Sequence, residues 1–137
     1  MTVEELAAQA VDCGLKVHQL LGPGLLESAY ERVLAHKLRE RGLDVATQVA
    51  VPIVVDGIVI DQGFRADVVV AGRLLIEIKS VERLLDVHTM QVMTYLRFME
   101  LPLGLLMNFS GVKFTQGLKR VVNNHRDTTG STLNLHQ

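Results

Sequence analysis

Two apolar, β-branched stretches of this chain carry charge where a folded protein tolerates it least. FRADVVV places Asp67 ahead of three valines, and LLIEIKS places Glu77 and Lys79 around Ile78. Both stretches read as buried strands, and a buried charge without a partner costs far more than a solvated one. Alternate residues of a strand share a face, so Glu77 and Lys79 project together while Ile78 enters the opposite layer. Ala71-Gly72-Arg73 has the length of a three-residue hairpin loop, and that register sets Asp67 directly across from Glu77. Two carboxylates and an ammonium then converge on one sheet face, the composition of a hard-cation site with a lysine beside it. The competing reading of the same residues is a cross-strand salt bridge on an exposed face.

Length and composition bound the fold around that site. The 137 residues fit one domain with a sizeable core of its own. Hydrophobic residues make up 48% with few aromatics and no Trp, so the core must be aliphatic. The net charge of -1 gives no support for a strongly basic nucleic-acid binder, although a local basic surface can act within a neutral total. Cys13 stands alone, which permits no intramolecular disulfide and fits a reducing compartment. MTVEELAAQAVDCG lacks the basic start and long apolar run of a signal peptide, and no run approaches a membrane span. The expectation is a soluble, cytoplasmic protein with no membrane partner.

Periodicity supplies the elements. Thr2-Val3-Glu4-Glu5 matches a capping box, and Leu6, Ala10, Cys13, Val17 and Leu21 follow at helical spacing. Gly22-Pro23-Gly24 breaks the chain before a second helix from about Leu25 to Arg41, with Gly42 as its stop. From Asp44 to Lys79 the texture is β: Thr47 to Val55 with Pro52 marking an edge or bulge, a tight turn at Asp56-Gly57 into Ile58–Ile60, then the Asp67 and Glu77 strands. Asp86 is placed to cap a third helix through about Met99, with Val87, Met90, Met93 or Thr94, and Arg97 or Phe98 marking its turns. Leu103 to Phe109 reads as a buried strand, and Lys113 to Val122 as a last strand or a short helix. Residues 1–122 form the domain, and 123–137 a polar tail. The order gives an α/β (α+β) fold with a mixed sheet flanked by helices.

Asp67 followed by Glu77-x-Lys79, between an acidic helix and a later helix, resembles the PD-(D/E)XK nuclease superfamily. Gly24-Leu-Leu-Glu27-Ser-Ala-Tyr30 resembles the signature of its GxxExxY branch. LGPGLLESAYE, GFRADVVV, LLIEIKS, VHTMQVMTYLR and LGLLMNFS look like family segments in the expected order, from about Val11 to Val122. Ala66 stands where the superfamily name has Pro, and no acidic or lysine position is lost.

The resemblance implies a restriction-endonuclease-like core and metal-dependent hydrolysis of nucleic acid, DNA ahead of RNA. It implies Mg²⁺ or Mn²⁺ held by Asp67 and Glu77, with the Ile78 backbone carbonyl as a third ligand and Glu27 completing the shell from the helix before. Lys79 would position or deprotonate the attacking water, or stabilise the phosphorane. Gln91 occupies the place of a helix glutamine that contacts the site or the DNA; a solvated helix position is the alternative. Tyr95 shares its face and either stacks on a base or packs. Tyr30 reads first as a core residue whose hydroxyl finds a partner and second as substrate-binding. Arg65 is a candidate phosphate contact, and Glu31 reads as surface. A domain this small offers limited surface to a duplex, so a homodimer or a larger protein partner is expected. The alternative function is a non-catalytic nucleic-acid- or protein-binding module that retains the nuclease fold.

Overall fold

A computed structural model of the chain describes residues 1–124; most of the polar tail expected from 123 lies outside the described residues. Helix α1 (Val3–Leu21) starts on the expected capping box: Thr2 Oγ1 accepts from the Glu5 N–H at 3.1 Å, and Glu5 returns a carboxylate oxygen to the Thr2 N–H at 3.2 Å. Helix α2 (Glu27–Glu40) ends at Gly42, whose φ of 80° suits glycine. There the N–H groups of Gly42 and Leu43 return to the carbonyls of Arg39 and Leu38, a Schellman closure.

Strands β1 (Val45–Val55), β2 (Ile58–Val70) and β3 (Leu74–Lys79) follow, then α3 (Asp86–Met99), β4 (Leu103–Asn108), a 3₁₀ turn (Phe114–Gly117) and β5 (Leu118–Val122). The sheet runs β1-β2-β3-β4-β5, antiparallel throughout except for β3 and β4, which are parallel across the α3 crossover. The segment Lys113–Val122 therefore supplies both a short helix and a strand. The strand expected at Ile58–Ile60 and the Asp67 strand prove to be one 13-residue element. Asp61-Gln62-Gly63 does not turn the chain, because the register shift between Val51 and Ile53 absorbs it.

The sheet separates two cores. Helices α1 and α2 bury Leu6, Cys13, Tyr30 and Leu34 against Ile76, Ile78 and Met107. On the other face Val92 and Leu96 of α3 meet Leu75, Leu106 and Val121. Of the residues that mark the turns of α3, Val87 (60%), Met90 (65%) and Phe98 (41%) are exposed. The helix sits where Gly104 lacks a Cβ, which would fall 2.8 Å from Val92 Cγ1. Asp86 moves from cap to first turn: Leu85 is the N-cap, and its N–H donates to His88 Nδ1 at 3.0 Å.

The far side of β4 is closed by its own continuation. Asn123, placed in the tail by sequence, is fully buried, with its N–H on Pro102 O and its amide on Leu101 O. Gly117 passes so close to Asn108 that a Cβ would overlap the Asn108 carbonyl oxygen. Backbone cannot yield as a flexible side chain does, so Gly117→Ala is expected to lose about 1–3 kcal/mol in chemical denaturation. Unchanged stability would show that the turn shifts freely.

Candidate active site

Strands β2 and β3 pair only over Val68↔Ile76, Val69↔Leu75 and Val70↔Leu74. Ala71 and Gly72 close this hairpin in left-handed conformations, with the Arg73 N–H donating to Val70 O at 3.0 Å. Beyond Val68 the strands part, and Asp67 and Glu77 fill the opening. The Asp67 N–H donates to Glu77 Oε2 at 2.8 Å, and the Ile78 N–H donates to Asp67 Oδ2 at 2.8 Å. Side-chain oxygens thus replace the missing ladder bonds, and each acid is oriented by the backbone of the opposite strand. Ile78 itself is buried in the first core, on the opposite layer from Glu77.

Glu77 is 3% exposed. Burial, the neighbouring Asp67 charge and the more distant Glu31 push its pKa from the usual carboxylate range to about 8, against the opposing pull of the Asp67 N–H and Lys79. Among the described residues no ion pair joins Lys79 to either acid. An exposed cross-strand salt bridge does not describe this arrangement.

Two further side chains enter the site that the sequence reading had not placed there. Gln48 interrupts β1 with a φ of 50°, in the gap between Thr47↔Val68 and Val49↔Ala66, opposite Asp67. Its Nε2 donates to Glu31 Oε1 at 2.6 Å and to Asp67 Oδ1 at 3.3 Å. Glu31, read as surface, is partly buried, and desolvation raises its pKa, with the Asp67 and Glu27 charges adding to the rise and the Gln48 bond opposing it. Its position four residues after Glu27 was the available signal.

Glu27 is exposed at the start of α2 and accepts from the Ser80 N–H at 3.3 Å, while Ser80 Oγ donates to Leu25 O at 3.0 Å. A concavity of about 400 Å³ opens there, lined by Leu25, Leu26, Glu27, Ser28 and Ser80. Tyr30 is fully buried, stacked on Phe109 with centroids 4.6 Å apart, so it is not a substrate contact. Its hydroxyl donates to Gly22 O at 2.6 Å and accepts from the Leu25 N–H at 3.1 Å. The tyrosine therefore clamps the Gly22–Leu25 loop that delivers Glu27.

Tyr95 stacks on Phe64 at 3.9 Å, and its pKa rises through burial and then through the charges of Glu77 and Asp67. Gln91 lies one turn earlier, and its buried Oε1 finds no donor among the described residues. Arg65 is exposed on β2, beside Ala50 of β1. Asn108, nearly buried, holds the segment after Lys79 through the Val81 N–H (3.0 Å) and Val81 O (2.9 Å).

A sequence model of the PD-(D/E)XK nuclease superfamily matches residues 4–121. The chain belongs to that superfamily. Comparison with curated proteins and with solved structures gave no match. The mixed five-stranded sheet with its three helices is consistent with the restriction-endonuclease-like fold of the superfamily.

PD-(D/E)XK domains generally depend on a divalent metal, and the donors here fit one. Asp67 and Glu77 offer hard oxygens, and a cation between them would relieve the mutual repulsion that raises Glu77. Among the described residues no group of three acidic, His or Cys side chains is arranged to hold an ion. The fit is to an open two-carboxylate site, which leaves positions for water and a phosphate.

The Glu77 shift fixes the sign of a pH effect in metal-free protein. A folded-state pKa above the unfolded value means that folding favours the protonated acid. That contribution is complete below about pH 4.5 and is lost as pH rises through about 8. In EDTA, stability should fall by a few kcal/mol across this window, and Glu77→Gln should flatten the fall. Denaturation at pH 5 and pH 8.5 checks this; equal slopes for both proteins would remove Glu77 as the source.

Proposed function

We propose that this protein is a divalent-metal-dependent phosphodiesterase that hydrolyses nucleic acid, and that within its superfamily it belongs with the GxxExxY proteins. The observation that carries the reading is Glu77: a 3%-exposed carboxylate beside Asp67, without an ion pair among the described residues, two positions from Lys79 on the same strand face. Burial beside a second acid costs the fold electrostatically, and a bound cation would offset that cost.

Asp67 and Glu77 would hold Mg²⁺ or Mn²⁺, which supplies positive charge against the scissile phosphate and a more acidic water. The Ile78 N–H fixes one oxygen of Asp67, and the Gln48 amide holds the other. Lys79, on the Glu77 face, is the group to orient or deprotonate the attacking water or to offset charge on the phosphorane. Gln48 ties Glu31 to Asp67, which makes Glu31 a closer companion of the site than Glu27. Gln91 brings an unsatisfied acceptor, and Tyr95 a ring within the field of both acids. DNA is taken first as substrate on the strength of the superfamily.

The near-neutral charge favours a second reading, a non-catalytic nucleic-acid- or protein-binding module that keeps the fold. Labelled single-stranded DNA, duplex DNA and RNA, incubated with Mn²⁺, Mg²⁺ or EDTA, separate the two. The nuclease reading predicts metal-dependent cutting that falls at least ~100-fold in Glu77→Ala and Lys79→Ala proteins of unchanged circular dichroism. A folded wild type that binds nucleic acid in metal and leaves it whole would favour the module.

A further inference from the structure

Among the described residues, two apolar surfaces face solvent away from the acids of the site described above. The first is the outer half of the β1–β2 hairpin. Residues 58–67 of β2 have β1 as their strand partner and lie beyond the β2–β3 pairing, which ends at Val68↔Ile76. The hairpin projects from the sheet as a two-stranded ribbon, a form with little stability of its own. At its tip Val55↔Ile58, Val54↔Val59 and Ile53↔Ile60 are paired, so both faces are apolar. Val54, Val55, Ile58, Val59 and Ile60 are 47–63% exposed. A half-buried ribbon alternates apolar with polar residues; this one does not.

The second surface is the outer face of α3. Val87, Met90 and Phe98 recur there at helical spacing, opposite the Val92–Leu96 face that packs on the sheet. The helix therefore carries apolar stripes on both sides, one of them uncovered.

We propose that these two surfaces are the halves of one interface: the ribbon of one copy of this chain lies on the outer face of α3 in a second copy, reciprocally, about a two-fold axis. Charge narrows the occupant. No lysine or arginine occurs between Arg41 and Arg65, and the ribbon carries Asp56 and Asp61, so a phosphate backbone or an anionic bilayer is repelled. Arg97, the one Lys or Arg of α3, is exposed beside Phe98 and offers those acids a counter-charge.

Area agrees with a stable pair. The exposed parts of one ribbon face (Val55, Ile58 and Ile60) and of the α3 stripe amount to about 600 Å² per copy, and a reciprocal contact buries about 1,200 Å², the lower end of a specific interface. Reciprocity also means that each copy both supplies and receives the contact, which closes the assembly at two.

Sedimentation velocity of the full chain tests this at about 100 µM, a hundredfold above a micromolar Kd. The wild type should sediment as a dimer, and Ile58→Asp and Met90→Lys should each sediment as monomers. Both positions are exposed, so neither change removes core packing, and circular dichroism should match the wild type. An equimolar mixture of the two variants should recover dimer, because one contact is then intact and the other opposes an acid to a base. A monomeric wild type overturns the proposal. So does a dimer that survives either substitution, or a pair of variants that stays monomeric when mixed. Cleavage is not read, so the outcome is independent of whether the site is a nuclease.

Discussion

The structure turns on the exchange of hydrogen bonds between Asp67 and the β3 strand. Where β2 and β3 stop pairing, the Asp67 N–H goes to Glu77 and the Ile78 N–H goes to Asp67. The two acids thus satisfy backbone groups that the parting strands would leave unpaired. They do so at an electrostatic cost, visible in the upward shift of Glu77. The rest of the site is arranged around that point. Gln48 takes a left-handed conformation to reach Asp67 and Glu31, Tyr30 holds the loop that leads to Glu27, and Asn108 holds the chain that leaves Lys79.

The centre of the site was legible because a short loop fixes register. Ala71-Gly72-Arg73 allows one close pairing of the flanking strands, and that pairing sets Asp67 across from Glu77. Gln48 was not legible for the converse reason. Continued from Val55↔Ile58, the tight turn would bring Ala46 opposite Asp67. The shift between Val51 and Ile53 moves the register by two residues and brings Gln48 there instead. Nothing in VAVPIVV states how many residues such a shift will take up.

Helix α3 shows a different limit. Its apolar residues lie on nearly every side, so periodicity offers two faces and selects neither. The choice is made by Gly104 on β4, which admits Val92 close to the sheet and turns Val87 and Met90 outward. The proposed interface has this origin: a helix with two apolar stripes covers one on its own sheet and leaves the other for a partner. Tyr30 and Glu31 mark the same contrast nearer the site. An aromatic in an apolar stripe is read correctly as core, whereas a glutamate at a helix surface gives no sign that a distant strand will bend to meet it.

In the proposed function, Asp67 and Glu77 are gathered to hold a divalent cation. Titration of Mn²⁺ followed by the electron paramagnetic resonance of the free ion measures this directly, without substrate or turnover. The wild type should bind, and both Asp67→Asn and Glu77→Gln should bind at least tenfold more weakly, with the fold retained. Mn²⁺ bound equally well by all three proteins would contradict it.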